Sequence, residues 1–177
     1  MSGVVECEVP ETSALFASMA SSSFRDCHAV DLPRDGRSAM RLYLDVVSRT
    51  PGWIDAAMRA RNRVVGMFGL KNLGALSEVD LARSESSYAV GQRVGIFTLI
   101  EQREDEVVLG DSDRHLDVKV SVLKSVEGER MRVAVSTVVH VRNALGSAYM
   151  VFVGPAHRRI APAMVARLLD APPPKRA

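Results

Sequence analysis

At 177 residues the chain has the size of one domain, and 47% hydrophobic with 25% charged residues is the balance of a globular core. Lys and Arg number 23 against 21 Asp and Glu, so a formal net charge of +2 provides no field to draw in nucleic acid or an anionic membrane. Two cysteines without CxxC spacing, Cys7 and Cys27, exclude a disulfide framework and leave reduced thiols as the simpler reading.

The opening MSGVVECEVPETSALF has neither a basic n-region nor a long apolar run, and cytoplasmic residence is therefore the expectation. Phe24 to Leu32 reads as a strand, closed by Pro33 and Asp35-Gly36. A first helix begins near Ser38, with Met40, Tyr43, Leu44 and Val47 at helical spacing, and breaks at Thr50-Pro51-Gly52. A second follows at once. Trp53, Ile54, Ala57, Met58, Val64, Val65 and Phe68 form its apolar face, Asp55 and Arg59 are spaced to pair on the other side, and Gly69 suits its end.

Residues 71–92 show no sustained period and read as a long connection, placed to cross a pocket mouth. Strands follow: Val94 to Gln102 and Val107 to Leu109 around the turn Arg103-Glu104-Asp105-Glu106. Leu116, Val118, Val120 and Val122 alternate with Asp117, Lys119 and Ser121, and Met131, Val133, Val135, Val139 and Val141 repeat the scheme after Glu127-Gly128-Glu129. Ser147 to Val153 reads as a last strand and Pro155 as the opening of a helix to about Leu169, with Ile160, Met164, Val165 and Leu168 inward. Residues 171–177, Pro-rich and without apolar anchors, are expected to be a disordered tail after a single domain over 1–170. The longest apolar run near the C-terminus, Ala148 to Val153, is far short of the roughly 20 residues that span a bilayer. The class is α+β: a curved antiparallel sheet wrapped around a long C-terminal helix, with two short helices after the first strand.

That order resembles the helix-grip fold of the START-like, birch-pollen-allergen-like (SRPBCC) superfamily, whose sheet and last helix enclose a hydrophobic cavity. The segments Pro51-Gly52-Trp53, Arg61-Asn62-Arg63 with Phe68-Gly69-Leu70-Lys71, Asp113-Arg114-His115-Leu116-Asp117, Asn143-Ala144-Leu145-Gly146 with Tyr149, and Pro155 with His157-Arg158 are similar to one bacterial family of unknown function, over roughly Val4 to Leu169. That family also occurs fused behind NAD(P)-binding Rossmann domains. A helix-grip sheet usually has six strands after the paired helices where five are counted here, so a further strand is either hidden in Ser84 to Val90 or absent.

Candidate chemistry is sparse, and no cofactor fingerprint is present. Arg61 lies on the apolar face of the second helix between Met58 and Val65; its guanidinium either reaches the rim or a carboxylate such as Asp117, or anchors a ligand carboxylate or enolate. His157, read as lying in the first turn of the last helix, is either a histidine bonded to a backbone carbonyl or a proton-transfer group. Tyr149 is either a core aromatic or a proton donor. His115, Asp117 and His140 would form a zinc site only if their sheet face were buried, and the alternation places that face toward solvent.

Three functions are compatible with these readings. The first is binding of a small hydrophobic ligand, an apolar or aromatic, polyketide-like acid, in a cavity lined by Trp53, Met58, Val120, Val135, Met164 and Leu168, with Arg61, Tyr149 and His157 as polar contacts. The second is a cyclase, aromatase or hydratase using that cavity, with His157 and Tyr149 as the catalytic pair. The third is an accessory subunit of a separate oxidoreductase, its cavity packed shut. No nucleic acid, membrane span, metal or cofactor is expected, and a homodimer is compatible with the sequence.

Overall fold

The computed structural model describes residues 3–66, 74, 76–77, 79–81 and 83–170, with the side chains of 64–66 excepted; the expected helix end at Gly69 and the tail 171–177 lie outside the described residues. In chain order the elements are β1 (Val5–Glu6), β2 (Phe24–Pro33), α1 (Ala39–Ser48), α2 (Gly52–Gly66), β3 (Arg93–Val94), β4 (Phe97–Gln102), β5 (Glu106–Ser112), β6 (Leu116–Glu127), β7 (Arg130–Val141) and α3 (Ala144–Val165). The seven strands form one antiparallel, curved sheet in the order β1-β2-β7-β6-β5-β4-β3. This is the expected α+β class.

Local chemistry explains most boundaries. Ser38 caps α1 by accepting from the Arg41 N–H at 3.0 Å. Gly128 takes a φ of +56° in the turn between β6 and β7, and Gly95, at +64°, splits the expected strand Val94 to Gln102 into β3 and β4. β6 and β7 pair over their whole length, Leu116 opposite Val141 and Glu127 opposite Arg130. Val30, Leu32, Leu99, Val107, Leu109, Val122, Met131 and Val133 face α1 and α3 and form the main core with Met40, Leu42, Leu44 and Ile54.

Two expectations are corrected. Ser147 to Val153 is helix, not strand, and α3 begins at Ala144 rather than Pro155. β-branched and aromatic residues favoured a strand there. The Asn143 cap and the helical spacing of Met150, Val153, His157 and Ile160 toward the sheet override them, while Val151 and Phe152, 68% and 80% exposed, show that no alternating face is buried. The segment Ser84 to Val90 holds a 3-10 turn, Glu85–Ser87, rather than a strand.

The second correction concerns the sheet's other face, which is covered rather than solvated. Residues 7–21 run across it, and Val9, Leu15, Cys7 and Met19 pack on Cys27, Ala29, Val108, Ala134 and Val138. Glu106, 1% exposed, pins this strap: it accepts from Ser13 Oγ at 2.7 Å, Ser121 Oγ at 2.6 Å and the Ala14 N–H at 3.1 Å, and pairs with Arg103. Cys7 and Cys27 are free thiols with sulfurs 3.0 Å apart; burial first, then Cys7 beside it, pushes the Cys27 thiol up to about 12.

α3 passes tightly against the turn before β6 at Gly146, where an added Cβ would stand 2.4 Å from the His115 carbonyl oxygen; at Gly154 an added Cβ meets nothing within 4 Å. Gly146→Ala is therefore expected to destabilise by about 1–3 kcal/mol. Gly154→Ala in the same helix should be neutral or stabilising by up to about 1 kcal/mol. Thermal or denaturant unfolding of the two variants checks the contrast.

Candidate functional site

Between α2, α3 and the concave face of the sheet lies a cavity in two adjoining compartments of about 240 and 160 Å³. Met58, Arg61, Ile96, Phe97, Val120, Thr137, Tyr149, Val153 and His157 line both. β6 and β7 supply Val120, Val122, Val135 and Thr137 by strand alternation; α2 supplies Ala57, Met58 and Arg61, and α3 Tyr149, Val153, His157, Ile160 and Met164, by helical spacing. Tyr43 of α1 closes the floor, its buried hydroxyl donating to the Val94 carbonyl at 3.1 Å.

Of the nine site residues expected from sequence, seven meet here: Arg61, Tyr149, His157, Met58, Val120, Val135 and Met164. Trp53 does not. It begins α2 on the outward side and is 53% exposed, whereas Ile54 takes the buried position that the broad apolar face made ambiguous. Leu168 lies beyond α3 in the packed core instead of on the cavity wall. Among the described residues of the 71–92 connection, Leu76 reaches the cavity.

Arg61 finds Tyr149, not Asp117. Its Nε donates to the Tyr149 hydroxyl at 3.0 Å, its guanidinium stands 5.4 Å from the ring centroid, and a terminal N–H donates to Asn62 Oδ1 at 2.9 Å. Asp55 likewise takes a partner other than Arg59, accepting from Ser77 Oγ at 2.8 Å. A phenol hydroxyl that accepts from a guanidinium keeps its own proton to donate. Tyr149 is thus a hydrogen-bond donor set in an apolar wall and polarised by a cation.

His157 is in the middle of α3, so the helix-end effect expected of it is absent. Its Nε2 is 3.0 Å from Asp26 Oδ2, and its ring meets Phe24 edge-on at 5.6 Å between centroids. Asp26 was not singled out from sequence. The signal was present: Phe24, Asp26, His28, Val30 and Leu32 share one strand face, and a carboxylate interrupts an otherwise core-facing row.

The segments Asp113-Arg114-His115 and Asn143-Ala144-Leu145-Gly146 come together, and their chemistry is structural. Asn143 Oδ1 caps α3 by accepting from the Gly146 N–H at 3.1 Å, while its Nδ2 donates to the Arg114 carbonyl and stands 2.9 Å from His115 Nδ1. Asp113 accepts from the N–H groups of His115 and Leu116, and Arg142 donates to the Asp113 carbonyl. Burial alone would push the Asp113 carboxyl up; the two backbone bonds, with His115 and Arg142 nearby, outweigh it and hold the group below its ordinary value. Asp117 and His140 stand opposite each other on β6 and β7, but His140 Nε2 is turned to the Ser18 carbonyl oxygen at 3.0 Å and His115 to Asn143, so the three form no metal-binding group. No group of three or more metal-ligating side chains occurs among the described residues, and no helix among them is long and apolar enough to cross a membrane.

Fold and site thus define an α+β domain with an apolar cavity under a long C-terminal helix. The chain belongs to the family described as "Protein of unknown function (DUF2867)", whose model matches residues 18–164. No curated protein and no solved structure is matched.

Asn143→Ala should cost about 1 kcal/mol through loss of the cap. Because the folded-state value of Asp113 lies below the unfolded one, its contribution is present above the unfolded value and is lost as pH falls through the folded value. Asp113→Asn should accordingly lower stability at neutral pH and flatten the acid limb of a stability-against-pH curve measured by urea unfolding.

Proposed function

We propose that the chain is a small-molecule-binding module of helix-grip type, holding a hydrophobic compound with one oxygen acceptor, such as an apolar or aromatic acid. The observation that carries this is the composition of the cavity wall. Valines of β6 and β7, Met58 and Met164 make an apolar surround, and the polar groups are few, with Tyr149 and Arg61 paired among them. Sites for small organic ligands have this character, an apolar lining with sparse polar groups that fix orientation. The larger compartment, about 240 Å³, exceeds the roughly 150 Å³ that suffices for benzene in an apolar cavity.

Tyr149 supplies the orienting bond, and the adjacent guanidinium favours an acceptor with negative charge. An aliphatic or aromatic body fits against Val120, Val122 and Val135. Superfamily likeness adds an analogy of fold, which does not by itself carry function. The volume within the cup favours this reading over an accessory subunit with a closed core.

Native mass spectrometry of protein purified from its own host, before and after denaturing extraction, tests the proposal. A stoichiometric small molecule carrying a carboxyl, phenol or carbonyl oxygen is expected. A clean apo mass that persists after soaking in fatty and aromatic acids contradicts it. Arg61→Ala and Tyr149→Phe should each weaken binding of a retained acid by on the order of 10- to 100-fold, the worth of a hydrogen bond in a charge-assisted pair. Titration calorimetry reads that loss.

A further inference from the structure

Asp26 takes no part in orienting a ligand through Arg61 and Tyr149, yet its placement is costly. The side chain is 7% exposed, both carboxylate oxygens are enclosed, and neither makes a hydrogen bond within the protein. A buried carboxylate in that condition is costly unless another charge approaches it. The group beside it is His157, with Nε2 at 3.0 Å from Oδ2 but without hydrogen-bond alignment. Nε2 is enclosed too, whereas the ring as a whole is 24% exposed and lines both compartments.

We propose that Asp26 and His157 form a proton-transfer pair that acts on an apolar carbonyl compound in the cavity, with His157 as the base and Asp26 as the residue that positions it. This rests on the ligand-binding reading above. Asp26 favours the tautomer with hydrogen on Nε2, which leaves a lone pair on Nδ1, and it stabilises the imidazolium that forms when Nδ1 takes a proton. Tyr149 and Arg61, on the same cavity wall, supply the donor for developing negative charge on oxygen.

The step balances without a co-reactant. Nδ1 removes a proton from the carbon next to the carbonyl; the C–H electron pair becomes the carbon–carbon π bond of an enolate, and the carbonyl π pair moves onto oxygen, facing Tyr149. Return of the proton from Nδ1 to the same carbon, or to the far end of a conjugated enolate, completes an enolisation or a double-bond shift. The substrate class is therefore an aromatic or unsaturated ketone or acid derivative with an acidic C–H.

The test uses 5-nitrobenzisoxazole, an apolar carbon acid. When a base takes its ring proton, the C–H pair forms the nitrile, the N–O bond breaks, and the oxygen leaves as the coloured phenolate of 2-cyano-4-nitrophenol. Wild type should accelerate this elimination above an equal concentration of free imidazole. His157→Gln should lose on the order of 100-fold, in the usual range for a general base. Asp26→Asn should lower kcat at least tenfold with KM little changed, and nitrogen-15 NMR should show His157 leaving the Nε2–H tautomer held in wild type.

Binding of 2-cyano-4-nitrophenol, followed by NMR of the same samples, separates the two readings. Binding without acceleration overturns the proton-transfer pair and leaves the cavity reading standing; absence of binding overturns both. A wild-type His157 found with hydrogen on Nδ1, a measurement that needs no variant to fold, also overturns the pair.

Discussion

The backbone approach of α3 to the turn before β6 at Gly146 is the constraint from which the rest of the architecture follows. With no Cβ there, the helix can start against the His115 carbonyl, with only two residues between it and the end of β7. Asn143 then fixes the start from both sides, capping the helix and holding the turn before β6. Once the first turn is set, the period of the helix determines which side chains look inward. Tyr149, Val153, His157, Ile160 and Met164 follow in order along the cavity. The cavity is thus a consequence of where α3 begins, since a helix pinned at its start and packed at its end by Val165 and Leu168 spans the curved sheet between those points.

The curved sheet also has to hide its second face. A strap that ends in a short 3-10 helix, Phe16–Ser21, does this, and Glu106 is the residue that holds it, with serine hydroxyls and a backbone N–H converging on one buried carboxylate. Such a group stabilises only while it is fully bonded, because an unpaired buried charge is among the more costly defects a core can have. Asp26 on the concave face is the instructive opposite: its oxygens are enclosed, but they are left with one imidazole rather than a ring of donors. Two enclosed carboxylates on one sheet therefore differ in kind, one satisfied and structural, the other set beside a histidine that lines the cavity.

Much of this was legible in the residues. Alternation in Leu116 to Val122 and Met131 to Val141, and helical spacing in α1 and α2, identified the class and placed Met58, Arg61, Val120 and Val135 around one cavity. The stretch Tyr149 to Val153 was not legible, because its β-forming composition competes with a helical period that becomes visible only together with the residues after Pro155. The strap over residues 7–21 has no period at all, so nothing local announced that it covers Ser121 and Ser136. Tyr149 as the partner of Arg61 could not be read either, since a helix–helix contact 88 positions apart leaves no trace in spacing. Trp53 illustrates the converse: its bulk suggested burial, but its phase on α2 relative to Ile54 turns it outward.

The central claim is that the space beneath α3 is a site rather than a packing defect. Methyl-resolved NMR during titration with an aromatic acid such as 2-naphthoic acid tests it most directly, because the two cores lie on opposite faces of one sheet. Saturable shifts at Val120, Val122, Val135, Met58 and Met164, with Val9, Val108 and Val138 unmoved, are the predicted result. Shifts spread evenly over both faces, or none up to the solubility of the acid, would contradict the account.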